Sequence, residues 1–236
     1  MINFLNNFIK RTNNLSYVAT SIKDLSNNTP VKKIFDAINN FSNDSEIRYV
    51  GGCLRKIIKK EHVDDIDLST NLNPQQVCEA LKNHNINFHK IGIEHGTVTA
   101  VIDDYHFEIT SLREDLKTDG RHADVKFSKD WCKDAARRDF TFNSIYSDIK
   151  GNLFDPFNGK EDLEKGIIKF IGEPERRIKE DYLRILRYLR FYLSYSKYKH
   201  DLKTSKLIKK NINGISKLSK ERLLNELKKY IDSNLL

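Results

Sequence analysis

The sequence predicts an α+β fold, a mixed β-sheet flanked by helices and followed by an all-helical segment, and three observations carry that expectation. Short apolar runs broken by Gly, Asn and Asp fill residues 47–112 and read as strands. Helical stretches separate some of these runs while two others are adjacent, the pattern of an α+β sheet. Beyond Gly166 turn signals thin out and helical periodicity takes over.

The elements follow in order. Residues 1–29, rich in Asn and Ser and closed by Thr29-Pro30, are expected to form a weakly ordered leader. Val31 to Phe41 reads as a helix. Arg48-Tyr49-Val50, Asp65-Ile66-Asp67-Leu68, Thr97 to Ile102 and His106 to Leu112 read as strands. Asn73-Pro74 supplies a cap and a first-turn proline for a helix running to about Asn83. Helical spacing returns over about 180–196 and 219–232. The expected division is therefore a leader (1–29), a sheet-bearing domain (30–165) and a helical segment (166–236), with no internal repeat.

Composition excludes several classes. Of 236 residues, 39% are hydrophobic and 31% charged, the balance of a folded domain rather than a disordered chain. No apolar run approaches a bilayer's thickness, and Met1 to Lys10 lacks the apolar stretch of a secretory signal, so a cytoplasmic address and no membrane partner are expected. Cys53, Cys78 and Cys132 are odd in number and widely spaced, which argues against a disulfide framework or a zinc site. A net charge of +8 suits a polyanionic partner, although a Lys-, Asn- and Ile-rich composition also follows from genomic base bias.

The chemistry centres on Val50-Gly51-Gly52-Cys53-Leu54-Arg55 and Asp64-Asp65-Ile66-Asp67-Leu68. Residues two apart on a strand point the same way, so Asp65 and Asp67 would present both carboxylates to one point. Mg²⁺ is held by one or two carboxylates plus water and substrate phosphates, and two such ions stabilise an in-line displacement at phosphorus. Gly51-Gly52 would let backbone N–H groups approach a triphosphate, and Arg55 offers a phosphate fork. Glu108, on a neighbouring strand, reads equally as a third acidic group (general base or further metal ligand) and as a solvent-facing residue. His95 carries no assigned chemistry, and Trp131 reads as core.

Gly-Gly followed after twelve residues by Asp-Ile-Asp-Leu resembles the signature of the DNA polymerase beta-like nucleotidyltransferases. Ala136-Arg137-Arg138-Asp139-Phe140-Thr141-Phe142-Asn143, Phe154-Asp155-Pro156-Phe157 and Glu180-Asp181-Tyr182-Leu183-Arg184-Ile185-Leu186-Arg187-Tyr188-Leu189-Arg190-Phe191 extend the likeness. Together these are similar to the bacterial-type (class II) CCA-adding tRNA nucleotidyltransferase and poly(A) polymerase family, from about Ile47 to Asp232. The resemblance implies a nucleotidyltransferase head over 30–165 and a helical neck over 166–236. It implies addition of CMP and AMP from CTP and ATP to a tRNA or other RNA 3′ end, two Mg²⁺ ions on Asp65 and Asp67, and pyrophosphate release. It also implies nucleotide contacts from Gly51, Gly52, Arg55, Arg138 and Asp139, base reading by Asp181 and Arg184, and Arg187 and Arg190 continuing that row.

Helical spacing would set Asp181 and Arg184 on one face, an acceptor beside a donor. Cytosine and adenine both show an exocyclic amine beside a ring-nitrogen acceptor, so such a pair accepts CTP and ATP and rejects UTP and GTP. The bland alternative for Arg184, Arg187 and Arg190 is a solvated face opposite a core stripe of Leu183, Leu186 and Leu193. Leu112 to Phe127 is polar and glycine-bearing and resembles the family's flexible loop, associated with the switch from C to A addition; it also reads as an ordinary surface connection.

Two departures stand out. Lys56 follows Arg55 where the family usually has Asp, and the chain is expected to stop before the family's body and tail domains. The terminal lysines from Lys206 to Lys229 read as RNA contacts or as solvated helix faces. Poly(A) polymerase, a partial CC- or A-adding enzyme, and a noncatalytic RNA-binding relic stay open as alternatives.

Overall fold

The computed structural model describes residues 17–118 and 123–234. The chain forms two compact units. One comprises Met1–Arg113, Phe127–Trp131 and Ile145–Asp155; the other comprises Glu114–Lys126, Cys132–Ser144 and Pro156–Leu236.

The first unit is built on a seven-stranded mixed sheet. Its strands are β1 (Ile47–Val50), β2 (Ile66–Thr70), β3 (Asn87–His89), β4 (Thr97–Ile102), β5 (Tyr105–Ser111), β8 (Tyr146–Ser147) and β9 (Leu153–Phe154). Their order across the sheet is β3-β4-β5-β2-β1-β8-β9. All pairs are antiparallel except β2 with β5, which run parallel, Ile66 to Thr70 matching Phe107 to Ser111. Burial alternates along β4 and β5, so Val98, Ala100, Phe107 and Ile109 are buried while Glu108 is exposed. That alternation is the signature of a sheet with one covered face.

Helices α2 (Val31–Asn39), α3 (Gly52–Lys59) and α4 (Pro74–Asn83) serve this sheet. Helix α2 buries Val31, Ile34, Phe35 and Ile38, and Phe35 meets the ring of Tyr49 on β1 at 4.9 Å. Helix α4 starts at the expected cap: Asn73 accepts from the Gln76 N–H and Gln76 returns the bond to the Asn73 N–H. Trp131 belongs to the same unit. Its indole donates to Glu46 at 3.0 Å, Arg48 lies 4.2 Å over its ring, and Tyr146 meets it edge-on.

The expected leader ends earlier than the sequence suggested. Its residues 1–16 lie outside the described residues, whereas 17–28 form a helix, α1, in which Val18 and Ile22 are fully buried. Two buried aliphatics four apart make one apolar stripe, a signal masked by the surrounding Asn and Ser. Gly151 shows how close this helix lies: φ is +88°, and a Cβ there would stand 2.5 Å from the Ala19 Cα.

The second unit is chiefly helical, with α5 (Trp131–Arg137, from its second residue), α6 (Gly159–Lys165), α7 (Pro174–Glu180), α8 (Leu183–Tyr195), α9 (Leu202–Asn211) and α10 (Lys220–Asn234). It takes in residues 156–165 because α6 lies backbone to backbone on the 141–143 turn; a Cβ at Gly159 would sit 2.1 Å from the Thr141 carbonyl oxygen. Its core is aromatic: Phe140, Phe142, Phe170, Tyr188 and Phe191 meet at ring distances of 4.8–6.4 Å. The buried stripe of α8 is Ile185, Tyr188, Arg190 and Phe191. The Leu183–Leu186–Leu193 stripe read from the sequence is therefore corrected: Leu193 is 57% exposed, because the larger aromatic surfaces claim the core side.

The polar segment 112–127 contains two paired strands, β6 (Arg113–Thr118) and β7 (Ala123–Phe127), and residues 119–122 between them lie outside the described residues. No helix among the described residues is long and apolar enough to cross a membrane.

Candidate active site

In the first unit the glycine turn and the acidic strand converge. Gly51 has φ 68° and ψ −117°, a conformation closed to side-chain-bearing residues, and it turns the chain from β1 into α3. A Cβ placed on Gly52 would meet the Asp67 Oδ2 at 3.6 Å and the Arg55 Nη2 at 3.9 Å. Glycine thus leaves a gap bordered by a carboxylate, a guanidinium and the N-terminal N–H groups of α3, which has no side-chain cap. Cys53 stitches the same elements from beneath, its buried thiol donating to the carbonyls of Val50 at 3.3 Å and Asp67 at 3.8 Å. Burial, with the Asp67 charge adding to it, pushes that thiol up to about 12.

Strand β2 begins at Ile66, so Asp65 stands one residue before it rather than within it. Asp65 is exposed, Ile66 buried and Asp67 half-buried, which preserves the alternation. Asp67 is the register partner of Glu108 on β5, and Glu108 that of Thr99 on β4, so all three side chains occupy the face opposite Ile66, Leu68, Phe107 and Ile109. No three His, Cys, Asp or Glu side chains gather as a ready metal cage among the described residues. The donor set still fits Mg²⁺, which takes one or two carboxylates and leaves its other positions to water and phosphate.

The second unit holds the remaining expected residues. Arg138 is gripped by fully buried Asp134, whose Oδ2 accepts from its Nε at 3.3 Å and Nη2 at 3.0 Å, while Asp134 Oδ1 accepts from Arg137. Asp139 is buried and accepts from Arg187 at 2.6 Å, Asn143 at 2.9 Å and the Phe140 N–H at 2.9 Å. Burial alone would raise its pKa, but the Arg187 charge and these three donors hold it at about 2. Arg190, 8% exposed, is bonded to buried Glu226 at 2.6 Å.

Asp181 and Arg184 do not lie within one continuous helix, although the Arg184 N–H donates to the Asp181 carbonyl at 3.1 Å across the turn between them. Helix α7 ends at Glu180, Asp181 is extended at φ −155°, and α8 begins at Leu183. The break has a local cause: Asp181 Oδ1 accepts from the Leu183 N–H at 3.1 Å, an Asx turn that starts a new helix. Its Oδ2 accepts from Arg222 of α10 at 2.8 Å. Arg184 donates from Nη1 to Glu180 Oε2 at 2.8 Å and to the Arg177 carbonyl at 2.7 Å. The sequence reading missed four residues here, Asp134, Arg177, Arg222 and Glu226. Only Asp134 left a signal, an acid three and four residues before Arg137 and Arg138.

Residues 47–169, just over half of the chain, match the family described as the Poly A polymerase head domain. The chain belongs to that family. Curated relatives of this chain are named CCA tRNA nucleotidyltransferase or CCA-adding enzyme. The human mitochondrial CCA tRNA nucleotidyltransferase 1 is 44% identical over 192 residues, 80% of this chain and 44% of the human protein. The CCA-adding enzyme of Lactobacillus helveticus is 39% identical over 186 residues, 78% of this chain and 45% of that enzyme. Among solved structures, the Bacillus stearothermophilus CCA-adding enzyme in complex with CTP superposes with a TM-score of 0.74 at 29% identity, covering 86% of this chain and 49% of its own. A tRNA nucleotidyltransferase with a primer tRNA and an incoming ATP analog gives 0.61 at 27% identity, covering 78% and 52%. The chain thus spans about half the length of these head-domain proteins.

Within this head-domain frame, Lys56 stands where the resemblance implies Asp. It pairs with Asp64, and the His62 Nε2 lies 3.4 Å from the other oxygen of that carboxylate. The pair spans from α3 to the segment that carries Asp65.

Proposed function

We propose that the chain transfers CMP and AMP from CTP and ATP to the 3′ end of tRNA with release of pyrophosphate. The observation that carries this reading is the glycine gap at Gly52, bordered by Asp67 and Arg55. The relatives' names, the CTP complex and the complex with primer tRNA and ATP analog support the substrate classes.

In this proposal Asp65 and Asp67 hold Mg²⁺, which would supply charge stabilisation at the reacting phosphorus. Gly51, Gly52 and the α3 N-terminus receive the triphosphate through backbone N–H groups, with Arg55 adding a guanidinium donor; Arg138 is assigned, from the resemblance, to the nucleotide's phosphate or sugar. Glu108 shares the face of Asp67 and takes a proton or orients the attacking hydroxyl. Asp181 and Arg184 read the base, each held by a protein partner that limits its rotation. Asp139, Arg187 and Arg190 line the nucleotide site in this reading, with Asp139 paired to half-buried Arg187 and Arg190 to buried Glu226. The lysines of α9 and α10 meet the RNA backbone, and the setting is cytoplasmic.

The name of the matched family keeps poly(A) addition as a second reading. One assay separates the two. Purified protein with Mg²⁺ is given tRNAs ending before C74, C75 and A76 and each nucleoside triphosphate singly. CCA addition predicts two C steps and one A step; runs of A indicate poly(A) synthesis, and no extension with any nucleotide overturns the transferase reading.

A further inference from the structure

We propose that Arg177 is a positioning residue that sets the base preference of the nucleotide site, acting through Glu180 and Arg184; the claim rests on the base-reading role just given. Its side chain is 11% exposed and its two terminal nitrogens reach different elements. Nη2 donates to the backbone carbonyls of Arg137 and Arg138, the latter at 2.8 Å, at the end of α5. Nη1 donates to Glu180 Oε2, the same oxygen that accepts from Arg184. Arg184 also donates to the carbonyl oxygen of Arg177 itself at 2.7 Å. Arg184 is therefore tied to Arg177 twice, once through main chain and once through a shared carboxylate.

The arrangement needs the span of an arginine. A planar guanidinium aims donors in fixed, diverging directions, so one side chain bridges two carbonyls and a carboxylate; a lysine ammonium is a single point charge. Both groups linked by this bridge are ones the site uses: Arg184, and the Arg137–Arg138 main chain from which the Asp134-held guanidinium of Arg138 projects. If the bridge is lost, Glu180 can follow Arg184 into other rotamers, and the donor–acceptor order presented to a base is no longer fixed.

The test is equilibrium calorimetry of CTP, ATP, UTP and GTP with Mg²⁺ on wild type and Arg177→Lys, with thermal melting alongside. The expected result is that the CTP:UTP and ATP:GTP affinity ratios each fall about ten-fold, because mispaired bases are no longer excluded. A purely structural role predicts that all four affinities weaken together, and unchanged ratios in folded Arg177→Lys overturn the proposal. Should Arg177→Lys fail to fold, Glu180→Gln removes the shared carboxylate; it must lower the same ratios, and unchanged ratios there are equally fatal. Wild type that shows no base preference also ends the proposal. Wild type that prefers CTP and ATP yet extends no RNA removes the transferase reading alone.

Discussion

Asp67 and Glu108 are register partners on the parallel pair β2–β5, so two acidic side chains from distant parts of the sequence share one level of one sheet face. The other face of those strands is buried, whereas Glu108 is exposed and Asp67 half-buried on this one.

Asp67→Ala is expected to reduce nucleotide addition by about 100-fold or more, since a metal-bound phosphoryl transfer loses several kcal/mol of charge stabilisation without its carboxylate. Glu108→Gln keeps the shape and removes the base, and is expected to lower kcat about 100-fold with an unchanged melting temperature. Steady-state rates on trimmed tRNA check both; a Glu108→Gln loss under about three-fold would assign Glu108 to solvent.

Lys56 and Asp64 form an exposed ion pair, worth little to stability on its own. Lys56→Ala is expected to slow addition by about two- to five-fold through a looser Asp65 segment. The double exchange Lys56→Asp with Asp64→Lys should restore the rate. A raised KM for nucleotide that the exchange does not repair would instead place Lys56 on the phosphates.

The Asp139–Arg187 pair makes acid sensitivity predictable. The folded carboxyl titrates at about 2 against an ordinary value of 3.8, so its contribution is complete above about pH 4 and is lost as pH falls towards 2. Asp139→Asn should cost about 2–4 kcal/mol at neutral pH. The gap between wild type and Asp139→Asn, measured by denaturant melts, is expected to narrow steadily below pH 4.

Gly151→Ala tests the docking of α1. A methyl group would strike the Ala19 backbone and would occupy a positive φ, so a loss of about 2–3 kcal/mol is expected from urea midpoints. Limited proteolysis should then cut within residues 17–28.

The strongly patterned elements were legible from the residues. The strands at 47–50 and 97–102, the helix from Asn73-Pro74 to Asn83, and the last helix all lie within a residue or two of their expected bounds. The glycine turn and acidic strand were legible as well, because turn chemistry and period-two spacing are local. Short elements were not: β8 and β9 span two residues each, too few to show a period. Helix α9 buries only Ile208 and Asn211, so its apolar stripe is nearly absent. The Arg222 partner of Asp181 lies forty-one residues away, and no local pattern encodes such a contact. The burial of Arg190 and the pairing of half-buried Arg187 escaped for the same reason: each depends on an acid supplied from elsewhere, Glu226 and Asp139.

Trp131 is the chain's single tryptophan, and its indole is fixed among Glu46, Arg48 and Tyr146 at the sheet's β1–β8 side. Intrinsic fluorescence excited at the indole therefore follows the melting of the sheet alone, whereas far-ultraviolet dichroism is weighted towards the helices of the other unit. Coincident transitions would mean that the halves unfold as one cooperative body; a split would give each its own stability, with no label attached.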